Sequence, residues 1–211
     1  MPLWVSLILG ILALCFVGLA TLRVLAKVAP FACPFNIGWL LENPFRKRFF
    51  GAAKTMGWIG VGKNTKVLEL GSGTGFLTVE AARRVGDSGR LYCMDIQPEM
   101  VAKTRERMRR HNLDNVGVVV GNALALPFKD NVFDLAFLVT VLGEIPEPRV
   151  ALRELNRVIV PGGILSVGEI VFDPHYYLRS SVKAKANHAG FEFLKESGSF
   201  LAYALNFRKI K

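Results

Sequence analysis

Two carboxylates flank a run of glycines in this chain, and their spacing defines a ligand chemistry. Residues 67–76 read Val-Leu-Glu-Leu-Gly-Ser-Gly-Thr-Gly-Phe. This is an apolar strand pattern, then a turn holding Gly71, Ser72, Gly73 and Gly75, then a helical pattern. Glycine has no Cβ, so it takes positive φ and lets a ligand reach the main chain, while the helix start beyond offers free N–H groups. A polar cofactor fits such a turn. Dinucleotide-binding proteins carry a similar turn after their first strand, so the glycines alone do not choose the ligand. Asp95 ends the next strand pattern about 20 residues further on, where a carboxylate accepts hydrogen bonds from ribose hydroxyls. Glu69, two residues before Gly71, makes the choice: it would repel a pyrophosphate and suits a cofactor bearing an ammonium and a sulfonium. The third strand pattern ends in Gly-Asn-Ala-Leu-Ala-Leu-Pro-Phe at 121–128, which sets Asn122 and nearby backbone beside the expected nucleobase. S-adenosylmethionine (SAM) is a nucleoside of this kind.

Methyl transfer from a sulfonium is an in-line displacement, so much of the acceleration comes from positioning, and no catalytic base is obligatory. Glu144 follows the fourth strand pattern and is a candidate to hold an acceptor amine or stabilise positive charge. His175 follows the fifth and is a candidate to deprotonate a hydroxyl. Glu169, Asp173, Tyr176 and Tyr177 share that region and read equally well as turn, wall or core residues. The basic run 103–110 reads as the solvated face of a helix. No cysteine or histidine spacing suggests a metal site.

Strand-like runs at 66–70, 90–96, 116–120, 132–142 and 163–172 alternate with helical runs after Gly75, at 98–112 and at 148–159. Pro98 and Pro148 suit first helical turns. This alternation predicts an α/β fold with a mostly parallel sheet. Runs 191–196 and 200–208 flank a turn near Gly198 and predict a closing antiparallel hairpin, which brings the sheet to seven strands, with helices on both faces.

Residues 3–22 hold no charge and, at about 20 residues, suffice to cross a hydrocarbon core. The start of the chain lacks the basic residues of a secretory signal. Arg23, Lys27, Arg46, Lys47 and Arg48 follow the apolar run, which predicts a single-pass anchor with the remainder in the cytoplasm. Lys plus Arg outnumber Asp plus Glu by 27 to 17, a net charge of +10, so an anionic neighbour is expected and the anchor favours lipid over nucleic acid. The predicted organisation is an anchor at 1–29, a connector with an amphipathic helix near 44–56 inside 30–62, and a cofactor-binding domain at 63–211.

These motifs, in this order and spacing, resemble the class I SAM-dependent methyltransferases, particularly the ubiquinone and menaquinone branch. The likeness covers roughly residues 66–170 and rests on VLELGSGTG, MDIQPEMV, GNALALPF and the segment FDLAFLVTVLGEIPEPRVALRELNRVIVPGG. It implies a Rossmann-like sheet with Glu69, Gly71, Ser72, Gly73 and Gly75 around the methionine and ribose portion. It also implies Asp95 on the ribose, Ile96 on the adenine face, Asn122 and Ala123 at the adenine edge, and Thr140 backbone near the methionine end. Many relatives have Asp in place of Asn122 and His in place of Gly143. The apolar anchor points to a lipophilic, membrane-associated acceptor, such as a phospholipid amine or an isoprenoid quinone. A nucleic-acid methyltransferase is disfavoured because Gly143-Glu144-Ile145-Pro146 lacks a Pro-Pro-aromatic motif. A nicotinamide reductase is disfavoured because neither Tyr176 nor Tyr177 has a lysine four residues on. A SAM-binding protein without catalysis is a further reading of the same residues.

Overall fold

The computed structural model describes residues 2–28, 32–33 and 51–211. The basic cluster at 46–48 and most of the expected helix at 44–56 lie outside these residues. Helix α1, Leu3–Val28, is followed by α2, Ala52–Ile59, and then by alternating elements: β1 Lys66–Leu70, α3 Phe76–Val85, β2 Arg90–Asp95, α4 Pro98–Arg110, β3 Val116–Val120 and β4 Phe133–Val139. The chain continues through α5 Pro148–Val158, β5 Ile159–Ile170, α6 Arg179–His188, β6 Phe191–Gly198 and β7 Ala202–Lys209.

The seven strands form one sheet in the order β3-β2-β1-β4-β5-β7-β6. Strands β1 to β5 pair parallel, and β7 runs antiparallel to both β5 and β6. The expected hairpin therefore forms, but β7 inserts between β5 and β6. A short turn permits only the antiparallel β6–β7 pairing, and a buried β7 sequence takes the inner place: Ala202 to Phe207 are all buried, while most of β6 is exposed.

Residues of opposite parity on the parallel strands feed two cores. Leu68, Leu70, Ala136, Leu138, Leu165 and Val167 pack with α5 and α6 on one face. Val67, Leu91, Leu135, Phe137 and Val139 pack with α2 and α3 on the other. Burial on both faces explains why these strands read as continuous apolar runs, and each fully buried Leu or Phe contributes about 2 kcal/mol. Met56 and Ile59 of α2 are wholly buried, and Asn206 Nδ2 of β7 donates to the Trp58 and Ile59 carbonyls at 3.0 and 3.1 Å. These bonds satisfy acceptors that a helix end leaves open.

The loop from β3 to β4 carries the GNALALPF run and is clamped from α5. Arg157 donates to the carbonyls of Leu126 and Phe128 at 3.0 and 2.8 Å and to Asp130 at 2.7 Å. Glu154 accepts from Leu126 N–H at 2.8 Å and from Arg157, and the Arg157 bond holds its carboxyl below the usual carboxylate range. Arg157→Ala removes the clamp. Thermal unfolding should show a loss of about 2 kcal/mol, reduced from the sum of the bonds because the pair is partly solvated, or roughly 4–8 °C.

Among the described residues, helix α1 contributes none to the two cores. Its stretch Leu3–Leu25 has 23 residues and a mean hydropathy of 2.6, and none of its most apolar window is buried. By length and composition it can cross a membrane.

Candidate active site

The strand order reverses direction between β1 and β4, and ligands of open α/β sheets sit beyond the carboxyl ends of the strands at such a point. A cavity of about 260 Å³ opens there. Its wall includes Glu69, Gly71, Ser72, Gly73, Asp95, Ile96, Asn122, Ala123, Thr140 and Glu144. Thus tertiary folding brings together most residues selected from sequence, drawn from the ends of four strands.

Leaving β1, the chain turns back on β2: Gly71 and Ser72 N–H groups donate to the Met94 carbonyl at 2.7 and 3.1 Å. Gly71 has φ +77°, and a Cβ there would lie 2.3 Å from a Val141 methyl. The residue must be glycine on both counts. Gly75 plays a different part from its expected one. It is absent from the cavity wall, caps α3 with φ +77°, and lies where a Cβ would meet Thr104 of α4 at 3.1 Å. It lets two helices approach.

Asp95 fixes the turn from the other side. One carboxylate oxygen accepts Gly73 N–H at 2.8 Å and the other accepts Gln97 N–H at 3.0 Å. Each oxygen keeps a second lone pair, so a diol at the cavity wall finds two oriented acceptors. Thr104 Oγ1 donates to the Gly73 carbonyl at 2.9 Å and fixes the next peptide of the turn.

Glu69 lies on the α3 side of the sheet, only 2% exposed. Thr78 Oγ1 of α3 donates to it at 2.6 Å. Burial pushes its carboxyl up from 4.5 to about 8, Thr78 works against that shift, and the Asp95 charge adds to it. A carboxyl held neutral at the wall of a cavity gains its charge when a cation arrives. This donor set fits the cationic methionine end of SAM, and the backbone left bare by Gly71 and Gly73 makes room for it.

Thr140 follows β4 with φ +57°, which is rare for a β-branched residue. The turn is held by Thr140 N–H donating to the Gly168 carbonyl at 2.8 Å. It also ends β4 at Val139, three residues short of the expected limit. Asn122 is exposed, and its Oδ1 accepts Leu124 N–H at 2.9 Å. That oxygen, expected at an adenine amino group, is shared with the local turn. Ile96 is 55% exposed on the cavity wall, an apolar platform suited to an aromatic base.

Glu144 lines the mouth. Its carboxylate accepts Cys33 N–H at 3.3 Å, and the Cys33 carbonyl accepts Gln97 Nε2 at 2.8 Å. A two-residue strap, Ala32 and Cys33, therefore crosses from α4 to the end of β4 and joins the wall. Sequence reading missed Gln97 and Cys33 as wall residues. Gln97 was within reach as the residue before Pro98 at a helix start, whereas Cys33 had no local signal.

His175 is buried and stands off the cavity wall. Its N–H donates to Asp173 at 2.8 Å, and its ring Nδ1 lies 3.7 Å from the same carboxylate. A Cβ on Gly143 would sit 2.0 Å from the His175 carbonyl oxygen and 2.6 Å from its Cβ. The glycine at 143 thus accompanies a loop that brings His175 into the space. Gly143→Ala should force this loop back, lowering stability by about 1–3 kcal/mol. Thermal unfolding checks the cost, and unchanged stability would show that the loop yields freely.

Residues 62–200 match the methyltransferase domain family. The chain belongs to that family, whose cofactor is SAM. Among related proteins, the ubiquinone/menaquinone biosynthesis C-methyltransferase of Cronobacter sakazakii is 38% identical over 157 residues, covering 71% of this chain and 61% of that protein. The enzyme of the same name from an Enterobacter species is 42% identical over 111 residues, covering 52% and 44%. The chain spans about half the length of the curated relatives it matches. A SAM-dependent methyltransferase from Aquifex aeolicus superposes with a TM-score of 0.79 at 24% identity, covering 85% of this chain and all of that one. The [4+2]-cyclase SpnF superposes at 0.68 with 21% identity, over 75% and 79%. Similar folds thus host different reactions, and it is the family match that makes this chain a SAM-dependent methyltransferase.

Proposed function

We propose that this methyltransferase acts on a lipophilic acceptor dissolved in a membrane, with a carbon of an isoprenoid quinol ring as the preferred target. The observation that carries the reading is the position of α1. The Arg23 guanidinium, at the end of the apolar stretch, donates to the Val171 carbonyl directly after β5. That is the carboxyl edge of the sheet, the edge on which the cavity opens. An α1 that spans the bilayer, with the basic residues after it in the cytoplasm, holds the mouth against lipid and raises the local concentration of a membrane-bound acceptor. The similarity to quinone-pathway C-methyltransferases supports a ring carbon over a phospholipid amine, and the anchor favours either over nucleic acid.

In this reading Asp95 and the Gly73 turn hold the nucleoside, Ile96 and Ala123 flank the base, and Glu69 faces the cationic end. Bound SAM supplies a methyl group made electrophilic by its sulfonium. Glu144, at the mouth, is placed to take the proton that a ring carbon loses on gaining a methyl group. His175 supports the loop behind Gly143 and so positions Glu144. The full-length protein in vesicles containing quinol, given methyl-labelled SAM, should put label into the quinol fraction, with a product one methylene heavier by mass. Label confined to phospholipid would favour the headgroup amine. Label found only in protein or water-soluble material would defeat both.

A further inference from the structure

Three large apolar side chains are exposed at the carboxyl edge beyond β5, outside the cofactor cavity: Phe172 at 48%, Leu178 at 65% and Phe200 at 80%. Phe172 and Leu178 are near each other in sequence, and the fold brings the turn that holds Phe200 to them. Val171 N–H donates to the Leu201 carbonyl at 2.9 Å, which sets Phe172 and Phe200 on adjoining segments. Arg179 Nη2 donates to the Ser199 carbonyl at 2.5 Å, which brings Leu178 to the same turn. We infer that Phe172, Leu178 and Phe200 form a second membrane contact, inserting into the leaflet beside α1 and turning the mouth of the site toward the lipid.

The bilayer is the occupant because this patch is continuous with the end of α1. Arg23 bonds the Val171 carbonyl, and its guanidinium lies 5.8 Å from the centre of the Tyr176 ring. A basic residue at the end of a spanning helix marks headgroup depth. Phe172, one residue from that anchoring carbonyl, therefore lies at the depth where aromatic side chains settle. Basic groups border the patch: Arg179 and Lys183 on α6 share the single Glu196 carboxylate, and Lys185 lies over the Tyr177 ring. Such a border complements anionic lipid. Phe200 and Leu178 are the two most exposed large apolar side chains outside α1 among the described residues, and apolar groups gathered at one edge mark an interaction surface. The inference rests on α1 being a membrane span and adds an orientation to it, since a single helix leaves the attached domain free to rotate and tilt.

The test uses the full chain reconstituted in phosphatidylcholine–phosphatidylglycerol vesicles, with two readouts. Retention through alkaline carbonate washing reports the span. Quenching by lipids brominated along the acyl chain, in Phe200→Trp and in Glu192→Trp at the opposite edge, each relative to the parent chain, reports the patch. The expected result is carbonate resistance with strong quenching of the added emission in Phe200→Trp and little in Glu192→Trp. Carbonate resistance with equal, weak quenching in both overturns the patch and leaves the span standing. Selective quenching in a chain that carbonate releases overturns the span and with it the contact beside α1, and failure of both readouts overturns both.

A Phe172→Ser, Leu178→Ser, Phe200→Ser variant supplies a functional readout. It should keep the parent's SAM affinity by calorimetry and its KM for a short-chain, water-soluble quinol. Its KM for a vesicle-dissolved quinol should rise about tenfold or more, given the apolar area lost. An equal KM for the vesicle-dissolved quinol would overturn the inference. So would a dimer of the parent in detergent that the triple variant cannot form, since the patch would then belong to a second copy of the chain.

Discussion

Glu69→Gln is expected to weaken SAM binding by about 10- to 100-fold, the value of a charged hydrogen-bonded contact, while making the cofactor-free protein more heat-stable above neutral pH. Both effects come from one buried carboxyl. Its value of about 8 in the folded protein, against 4.5 ordinarily, means that folding favours its protonated form. Its stabilising contribution is therefore complete below about pH 4.5 and is lost as pH rises through about 8, because over that window the unfolded chain ionises and the folded chain does not. Glutamine has no proton to lose and can still accept from Thr78. The unfolding temperature of the variant should accordingly rise relative to the parent across this window.

Binding carries the opposite sign. A cation at Glu69 favours the carboxylate, so the parent should release close to one proton per cofactor bound near pH 7, with affinity climbing toward pH 8 and then levelling. Calorimetry in buffers of different ionisation enthalpy measures the proton directly. A parent that binds with no proton release, or a variant whose proton release matches the parent's, would remove Glu69 from the cationic end.

Asp95→Ala is the second large effect. Two backbone N–H groups, of Gly73 and Gln97, lose their acceptor together, at a cost in stability of about 1–3 kcal/mol. SAM affinity should fall about 100-fold, because the variant removes the ribose acceptors and also loosens the turn that the cofactor meets. A coupled signature separates this from simple damage. The Asp95 charge helps to raise the Glu69 carboxyl, so the variant should move the pH at which the remaining binding levels off to lower values. Retained affinity for SAM, or an unshifted pH profile, would count against this arrangement.

Much of the cavity wall was legible because it is built from local sequence. A strand, a glycine turn and a helix start are consecutive, and Asp95 and Asn122 each end the next strand of the same pattern. Parallel strands joined by helices align their carboxyl ends, so residues read at strand ends meet in space. The acceptor side was less legible. His175 and Glu144 were chosen as strand-end residues, yet one lines the mouth and the other stands behind Gly143, a difference that depends on the path of a loop.

Sequence alone determined the alternation of elements, the apolar α1, the glycine turn and the carboxylates on either side of it, because each is written in residue type at short range. Tertiary structure decided the rest. The insertion of β7 beside β5, the Cys33 strap between Glu144 and Gln97, and the bond that joins the Phe172 segment to the Phe200 turn all join residues distant in the chain. Their pairing depends on the order of strands in the sheet and the side to which each helix folds, and hydrophobic periodicity specifies which face of a strand is buried without saying which neighbour buries it.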